Sequence, residues 1–582
     1  MGIVYVYVKT YIYALFNSAN YFLNSNLSTM KQKFFTLFFL ASIISSPSFT
    51  QAVIKNQKTA GGNSVDDFTS MSLTSDGGFI AAGFSYSDSS FEKTENSREA
   101  SNGDNSFDYW VVKFDKQRNI QWNKTIGGRK DDVCNAVQQT TDGGYIVGGY
   151  SSSGANFDKT TTNRGFNDYW IVKLDAQGNI QWDKTIGGSS EDQLSALQQT
   201  TDGGYILGGW SGSGISGEKS ANSKGNQDYW VVKTDSSGNV QWDKTIGGSN
   251  FDYLNAVRQT TDGGYILGGR SLSNQSSDKT ENSRGAEDYW VVKLNSNGNI
   301  EWDRTIGGTA NDVLYALEQT KDNGYMLGGS SGSDISGEKT QNNWNAKNGY
   351  ADYWVVKLNS SGSIQWGKTI GGTRADNLRS LQQTSDKGYI LGGYSTSGIS
   401  GDKTEKVKDT SHLASYLTND YWVVKLDSAG NKQWDKTIGG NSEDQLRCIK
   451  EVKPNSYLLG GASSSPVSFD KSEFNRYSLD YWIVRLDYQA PVSKTSVKEN
   501  ISVTFITGKN NDFTAYPNPA KSMLYIRINN AAVISLNNAE GKTILQKTIN
   551  RSGTIDVSKF SAGIYYIKNS ATGLVREVMV VR

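Results

Sequence analysis

An all-β fold is predicted by this sequence, and three observations predict it. Asp-Tyr-Trp recurs seven times, beginning at Asp108, Asp168, Asp228, Asp288, Asp352, Asp420 and Asp480. The spacing is 60 residues, stretched to 64 and 68 late in the array, and a period of that size signals a solenoid or a propeller. Each unit holds four short runs rich in Val, Ile, Tyr and Trp with no helical spacing. Four antiparallel strands make one blade, so seven copies predict a seven-bladed β-propeller.

In the second unit the strands are CNAVQQT (134–140), GYIVGG (144–149), DYWIVKLD (168–175) and NIQWDKTI (179–186). Asp142-Gly143-Gly144 joins the first two, where glycine supplies the positive φ of a tight hairpin. Asp175 to Asn179 turns the chain again through Gly178. Blades pack on neighbours through both faces. That explains unbroken apolar runs such as Trp-Val-Val in place of strict alternation.

The ends of the array specify how the ring closes. Six repeats carry a fourth strand with Trp122, Trp182, Trp242, Trp302, Trp366 or Trp434. The seventh lacks it, but AVIKNQKTAGG (52–62) aligns with GNIQWDKTIGG (178–188). The N-terminal strand is therefore expected to complete the last blade and remove open sheet edges. The propeller is placed at residues 53–488.

The motif order resembles the kelch β-propeller. Gly148-Gly149, Tyr169 and Trp182 stand where a kelch unit has its diglycine, aromatic and tryptophan. The loop between the second and third strands is longer than in typical kelch units.

Upstream, residues 1–29 read as an extension outside the native product. Lys31 and Lys33, the apolar run Phe34 to Ile44 and the small, polar exit Ser45 to Ala52 read as a secretory signal peptide over 30–52. The apolar run is too short to span a bilayer, and the mature protein is expected to have no membrane-spanning segment. A near-neutral net charge of +1 gives no reason to expect nucleic acid as a partner. Cys134 and Cys448 occupy non-equivalent positions in distant repeats, which argues against a disulfide framework or a zinc site. His412, the single histidine, lies in a long polar loop without a catalytic partner. No catalytic residue, cofactor or metal site is assigned, and the chain leans away from being an enzyme.

Recurrence separates packing from function. Thirteen of fifteen tryptophans occupy repeat positions and are assigned to blade interfaces. An Asp recurs four residues after each Gly-Gly, from Asp66 and Asp132 to Asp444. An acidic-Lys pair recurs in each long loop, as in Glu92-Lys93 and Asp158-Lys159. Turn capping and ion pairs between loops account for both. One calcium ion per blade is the sharper reading, but the loops lack the alternating acidic ligands of a calcium loop. TTDGGY (140–145) shares the order of a sialidase Asp-box, and a hairpin alone requires those residues.

Every change of length falls in the loop after the second strand. It has 18 residues in four blades and grows to 24 in 84–107, 22 in 330–351 and 26 in 394–419. This places the variable loops on one face, the usual place for binding. Trp210 and Trp344 fall off the repeat pattern and are read as loop residues. Phe84, Tyr150 and Tyr394 occupy the position of Trp210. These five are the ligand-binding candidates, since such aromatics stack on sugars or anchor a protein.

Residues 489–511 read as a polar linker with one possible strand at 501–507. MLYIRINN (523–530), AAVISLNN (531–538), KTILQKTI (542–549), GTIDVS (553–558), GIYYIKN (563–569) and REVMVV (576–581) then predict a small β-sandwich over 512–582, with turns at Gly541 and Gly563. Tyr516-Pro517-Asn518-Pro519, Asn538 to Lys542 and Ser561 to Tyr565 resemble the type A C-terminal sorting domain of the type IX secretion system. The resemblance implies Pro517, Asn518, Pro519, Gly541 and Gly563 as motif residues and the secretion machinery as partner. It also implies export to the exterior or outer surface of a Gram-negative bacterium. The expected function is binding of a glycan or protein on the long-loop face. The alternatives are a carbohydrate-active enzyme, which would need two carboxylates across one bond, and a structural adhesion protein.

Overall fold

The structure is a computed structural model describing residues 51–98, 106–409, 418–489, 513–516, 520, 522–538, 542–573 and 575–581. Residues 30–50 of the expected signal peptide, His412, the strand expected at 501–507, Pro517, Asn518, Pro519 and Gly541 lie outside the described residues, whereas Gln51 and Ala52 belong to the N-terminal strand. The chain divides into two compact units, with the boundary between Ser493 and Lys494.

The first unit contains seven four-stranded antiparallel sheets. The first blade is Asp66–Leu73, Phe79–Ser85, Asp108–Phe114 and Ile120–Ile126. The seventh is Asp444–Lys453, Ser456–Ser463, Asp480–Gln489 and, as its outer strand, Gln51–Ala60. That N-terminal strand pairs from Gln51 opposite Gln489 to Ala60 opposite Tyr481. Gln57 Oε1 accepts the Trp482 indole N–H at 2.9 Å, a role taken by Asp183 toward Trp170 in the second blade. Pairing begins two residues upstream of Val53, and Ala52 is buried.

Both faces of each blade are covered. Trp110 and Val112 join one apolar cluster with Tyr481 and Ile483, while Tyr109 and Val111 join another with Trp170 and Val172. Side chains alternate across a strand, so a run buried on both sides must be apolar throughout. A tyrosine hydrogen bond repeats at every junction. Tyr109 Oη donates to Trp170 O, Tyr169 to Trp230 O and Tyr229 to Trp290 O at 2.9–3.0 Å. Tyr481 Oη donates to Trp110 O at 2.9 Å and closes the ring.

The diglycine has a second purpose that the hairpins do not explain. Each first strand carries a β-bulge at its fourth residue, for example between Leu194 and Ala196 or between Leu378 and Ser380. A Cβ on the second glycine would collide with backbone there. At Gly209 it would lie 2.0 Å from Gln193 O, and at Gly393 2.0 Å from Asn377 O. The missing side chain lets the second strand close on the bulge.

Hairpin chemistry resolves the Asp-box likeness. Gly143 and Gly203 have φ of 84° and 83°, and Asp142 accepts Thr140 Oγ1 and Gly144 N. Its other oxygen pairs with the buried Lys173 at 2.8 Å. Thr140, Gly144 and Lys173 hold the Asp142 carboxyl down at about 2 despite the opposing effect of partial burial. The residues build a turn and anchor a buried ammonium.

The second unit holds two antiparallel sheets. Phe513–Tyr516, Met523–Ile528 and Ser552–Asp556 form one. Ala532–Asn537, Thr543–Ile549, Gly563–Asn569 and Val575–Val580 form the other. One core joins them through Leu524, Ile526, Ile534, Leu536, Ile555 and Ile567. Gly563 opens a strand opposite Val580 and has no positive φ. The expected turn therefore precedes it, because ladder pairing extends one residue beyond the apolar run.

Candidate functional site

The bulge residues converge on the ring axis. The fourth residue of successive first strands is Thr69, Asn135, Ser195, Asn255, Tyr315, Arg379 and Arg447. All seven line a central cavity of about 320 Å³. Flanking positions hardly vary, with Asp at the first and Leu at the third in most blades, because they fold the connection and fill the junctions. The bulge side chains differ from blade to blade.

Three small ones serve the ring. Thr69 Oγ1 donates to Cys134 O at 2.7 Å, Asn135 Nδ2 to Leu194 O at 2.8 Å and Asn255 Nδ2 to Leu314 O at 2.7 Å. Tyr315, Arg379 and Arg447 break this pattern. The Arg379 guanidinium lies 4.0 Å from the Tyr315 ring centroid and donates to Tyr394 Oη at 2.6 Å. Arg447 Nη2 donates to Gln445 Oε1 at 2.9 Å and stands 3.8 Å from Asp67.

This end of the channel opens on the long-loop face. The first strands start there, and their amides bond the loop ends, as Asp132 N does with Phe107 O at 2.7 Å. Four predicted residues stand on the second strands toward this face; none lines the cavity, and Tyr394 touches it through Arg379. Phe84, Tyr150, Trp210 and Tyr394 are partly buried and belong to second strands, opposite the second residues of first strands. Placing them in loops is thus corrected: strand pairing runs two residues past the diglycine, with Trp210 opposite Tyr229. Trp210 meets Tyr253 edge-on at 5.5 Å, and Arg270 lies 4.8 Å over the same Tyr253 ring.

Trp344 stands apart from that group. Its backbone N–H donates to Asp352 at 2.8 Å, and its indole N–H donates to Asp402 of the next loop at 3.1 Å. In other blades a basic residue fills this place, pairing Arg98 with Asp158, Arg164 with Glu218 and Arg476 with Glu92. Trp344 thereby links two loops, although half its surface is exposed, 52%.

The acidic-Lys pairs divide. The acid binds the preceding blade's loop, while Lys159 turns inward, buried, to Thr185 Oγ1 and lies 5.3 Å from the Trp170 ring. Burial pushes Lys159 down to about 8. The recurrent Asp132 opens its strand and accepts Gly128 N at 2.6 Å and Ser153 Oγ. Among the described residues no group of three or more His, Cys, Asp or Glu is placed to hold a metal ion. No helix there is long and apolar enough to cross a membrane.

Sequence reasoning missed two features. One is the bulge set, whose identity changes from blade to blade as the second and seventh positions of the same strands also do. The other is a crown of apolar loop tips. Phe91, Phe157 and Phe469 are 58–68% exposed and hold left-handed φ of 47–49°. Blades with glycine at that position expose Ile215, Ile335 or Ile399 two residues earlier.

Comparison with known proteins gives one family match: residues 514–581 match the secretion system C-terminal sorting domain. The regulatory protein FlaEY of Caulobacter vibrioides is 23% identical over 333 residues, 52% of this chain and 34% of that protein. The chain thus spans about a third of that relative's length. Among solved structures, the Neurospora crassa Pan2 WD40 domain has a TM-score of 0.40 at 9% identity, over 74% of this chain and 95% of that one. Sqt1 from Chaetomium thermophilum reaches 0.37 at 12%, over 74% and 100%. YCF48 bound to D1 peptide reaches 0.34 at 10%, over 76% and 100%. The sheets themselves carry the propeller assignment. The sandwich that follows the propeller in the sequence is a type IX secretion sorting domain, and the chain is a secreted or cell-surface propeller protein.

Proposed function

We propose that this protein binds a glycan at the channel mouth on its long-loop face, after export across the outer membrane of a Gram-negative bacterium. One observation carries the reading. Seven bulges place side chains of different chemistry, Thr69, Asn135, Ser195, Asn255, Tyr315, Arg379 and Arg447, around one cavity. A rigid scaffold presenting variable residues is how binding sites are built. Aromatic and amide groups around the mouth suit sugar rings and hydroxyls. The kelch-like motif order agrees with the scaffold and adds no ligand. The test is a glycan array probed with the secreted chain and with Trp210→Ala. Hits that fade about tenfold in the variant support the reading; hits of equal strength reject this site.

A second reading, a protein partner, draws on the exposed Phe91, Phe157 and Phe469. A left-handed Phe costs about 1–2 kcal/mol, and the rings stay more than half exposed, with Arg129 5.8 Å from the Phe157 centroid and Arg476 5.8 Å from that of Phe91. Phe157→Gly should stabilise the propeller while weakening capture of a protein partner.

A further inference from the structure

The cavity has an unusual charge. Its lining includes Arg258, Arg379, Arg447 and Lys450 and no carboxylate, in a chain whose formal net charge is only +1. Two carboxylates stand at its margins. Glu318, the seventh residue of its first strand, faces Arg258 and Lys450 and accepts the Gln383 amide at 2.7 Å, and Asp67 pairs with Arg447 at 3.8 Å. Arg379 has neither. Its guanidinium carbon lies 4.0 Å from the Tyr315 ring centroid and 5.3 Å from that of Tyr394, whose hydroxyl accepts its Nη2–H at 2.6 Å. Among the described residues no carboxylate is within ion-pair distance of it. The Nε groups of Arg379 and Arg447 are both buried without an acceptor.

The cations lie at two levels. Arg379 and Arg447 are bulge residues of the adjacent sixth and seventh blades, on the long-loop side. Arg258 and Lys450 are seventh residues of their first strands, further down the channel. In other blades that position works for the ring: Gln138 Oε1 accepts Gln199 N and Gln382 Oε1 accepts Glu451 N at 2.8 and 2.7 Å. Arg258 and Lys450 have no acceptor oxygen to offer. Two ring contacts are thereby replaced by positive charge in a confined space. A guanidinium kept from water needs a counter-charge, and Arg379, unlike Arg447 beside Asp67 and Arg258 facing Glu318, has none within ion-pair distance among the described residues. Stacked arginine with free N–H groups matches the planar or tetrahedral oxygens of an anion.

We propose that the central channel is an oxyanion site, holding the carboxylate or sulfate of an acidic sugar between Arg379 and Arg447. This rests on the glycan-binding reading and narrows its ligand to acidic sugars. The probe is inorganic sulfate, titrated into the full chain at constant ionic strength against chloride, with thermal unfolding and calorimetry as readouts. Sulfate should bind and raise the unfolding midpoint where chloride does not. Arg379→Gln and Arg447→Gln should each weaken sulfate about tenfold, as for loss of one charge-assisted contact. Lys347→Gln removes one exposed loop cation and should leave binding unchanged.

Circular dichroism and an unaltered unfolding midpoint without sulfate verify that the variants fold. A trigalacturonate and a sulfated trisaccharide, each competed against sulfate, then separate carboxylate from sulfate as the natural group. A neutral trisaccharide should not compete. Sulfate acting no better than chloride, or binding both arginine variants at full strength, overturns the site. A neutral glycan that binds at the mouth while sulfate is ignored overturns the anion site and leaves the binding function standing. Sulfate binding without any glycan hit does the reverse.

Discussion

Replacing Tyr481 by Phe tests whether the ring is closed. Tyr481 Oη donates to Trp110 O at 2.9 Å across the junction between the last blade and the first. Tyr229 makes the equivalent bond to Trp290 O at 2.9 Å within the array. Both tyrosines and both tryptophans are fully buried, and the ring centroids lie 4.7 and 4.8 Å apart. Phe keeps the ring contact and leaves no cavity, so the substitution removes only the hydroxyl. A buried carbonyl then loses one partner, at a cost of about 1–2 kcal/mol. That is a factor of roughly 5 to 30 in the folded to unfolded ratio. Chemical denaturation of the full chain, following tryptophan fluorescence, reads the loss as a shift in midpoint at constant slope. Tyr481→Phe and Tyr229→Phe should lose the same amount. If Tyr229→Phe is costly and Tyr481→Phe is free, the closing junction does not form. If neither matters, the tyrosine network holds nothing together.

Two further outcomes follow from the fold. Gly209→Ala places a Cβ 2.0 Å from Gln193 O and 2.7 Å from the Tyr169 hydroxyl; it should destabilise by about 1–3 kcal/mol as overpacking, seen as a lower denaturation midpoint. Stability should also respond to pH in a definite direction. Burial raises Asp480 to about 7 and Asp108, Asp352 and Asp420 to about 8, from an ordinary 3.8. The folded state holds those protons more tightly than the unfolded chain, so their contribution is complete below about pH 4 and is lost as pH climbs to about 8. Burial lowers Lys93, Lys159 and Lys219 to about 8, and their contribution grows in the other direction, above that pH. The thermal midpoint should therefore fall from about pH 5 to about pH 8 and recover toward about pH 10; a midpoint rising steadily to pH 8 would contradict this.

Much of the fold is legible in the residues because it repeats. Asp-Tyr-Trp counts the blades, and the alignment of 52–62 with 178–188 anticipates the pairing of Gln57 with Trp482. Turn residues announce themselves because positive φ restricts which side chains fit, as at Gly143 and Gly178. The bulge is hidden for a physical reason. A bulge changes neither composition nor apolar period, since Arg379 sits between Leu378 and Ser380 as any exposed strand residue would. Only the close approach of Gly393 to Asn377 O reveals it. The same applies to Trp210, whose strand continues past Gly209 without an apolar signal. Trp344 looked like a free aromatic because its ion-pair position is filled by Arg or Lys elsewhere, and that equivalence emerges only when neighbouring loops are brought together.

The most direct test of the account sets the channel mouth against the loop tips. Calorimetry measures the affinity of the strongest glycan hit for the secreted chain, for Arg379→Gln and for Phe157→Ser. The account predicts that Arg379→Gln weakens binding about tenfold and Phe157→Ser leaves it within about twofold. Equal affinity in Arg379→Gln, with loss in Phe157→Ser, would contradict it and move the site from the channel to the crown of loops.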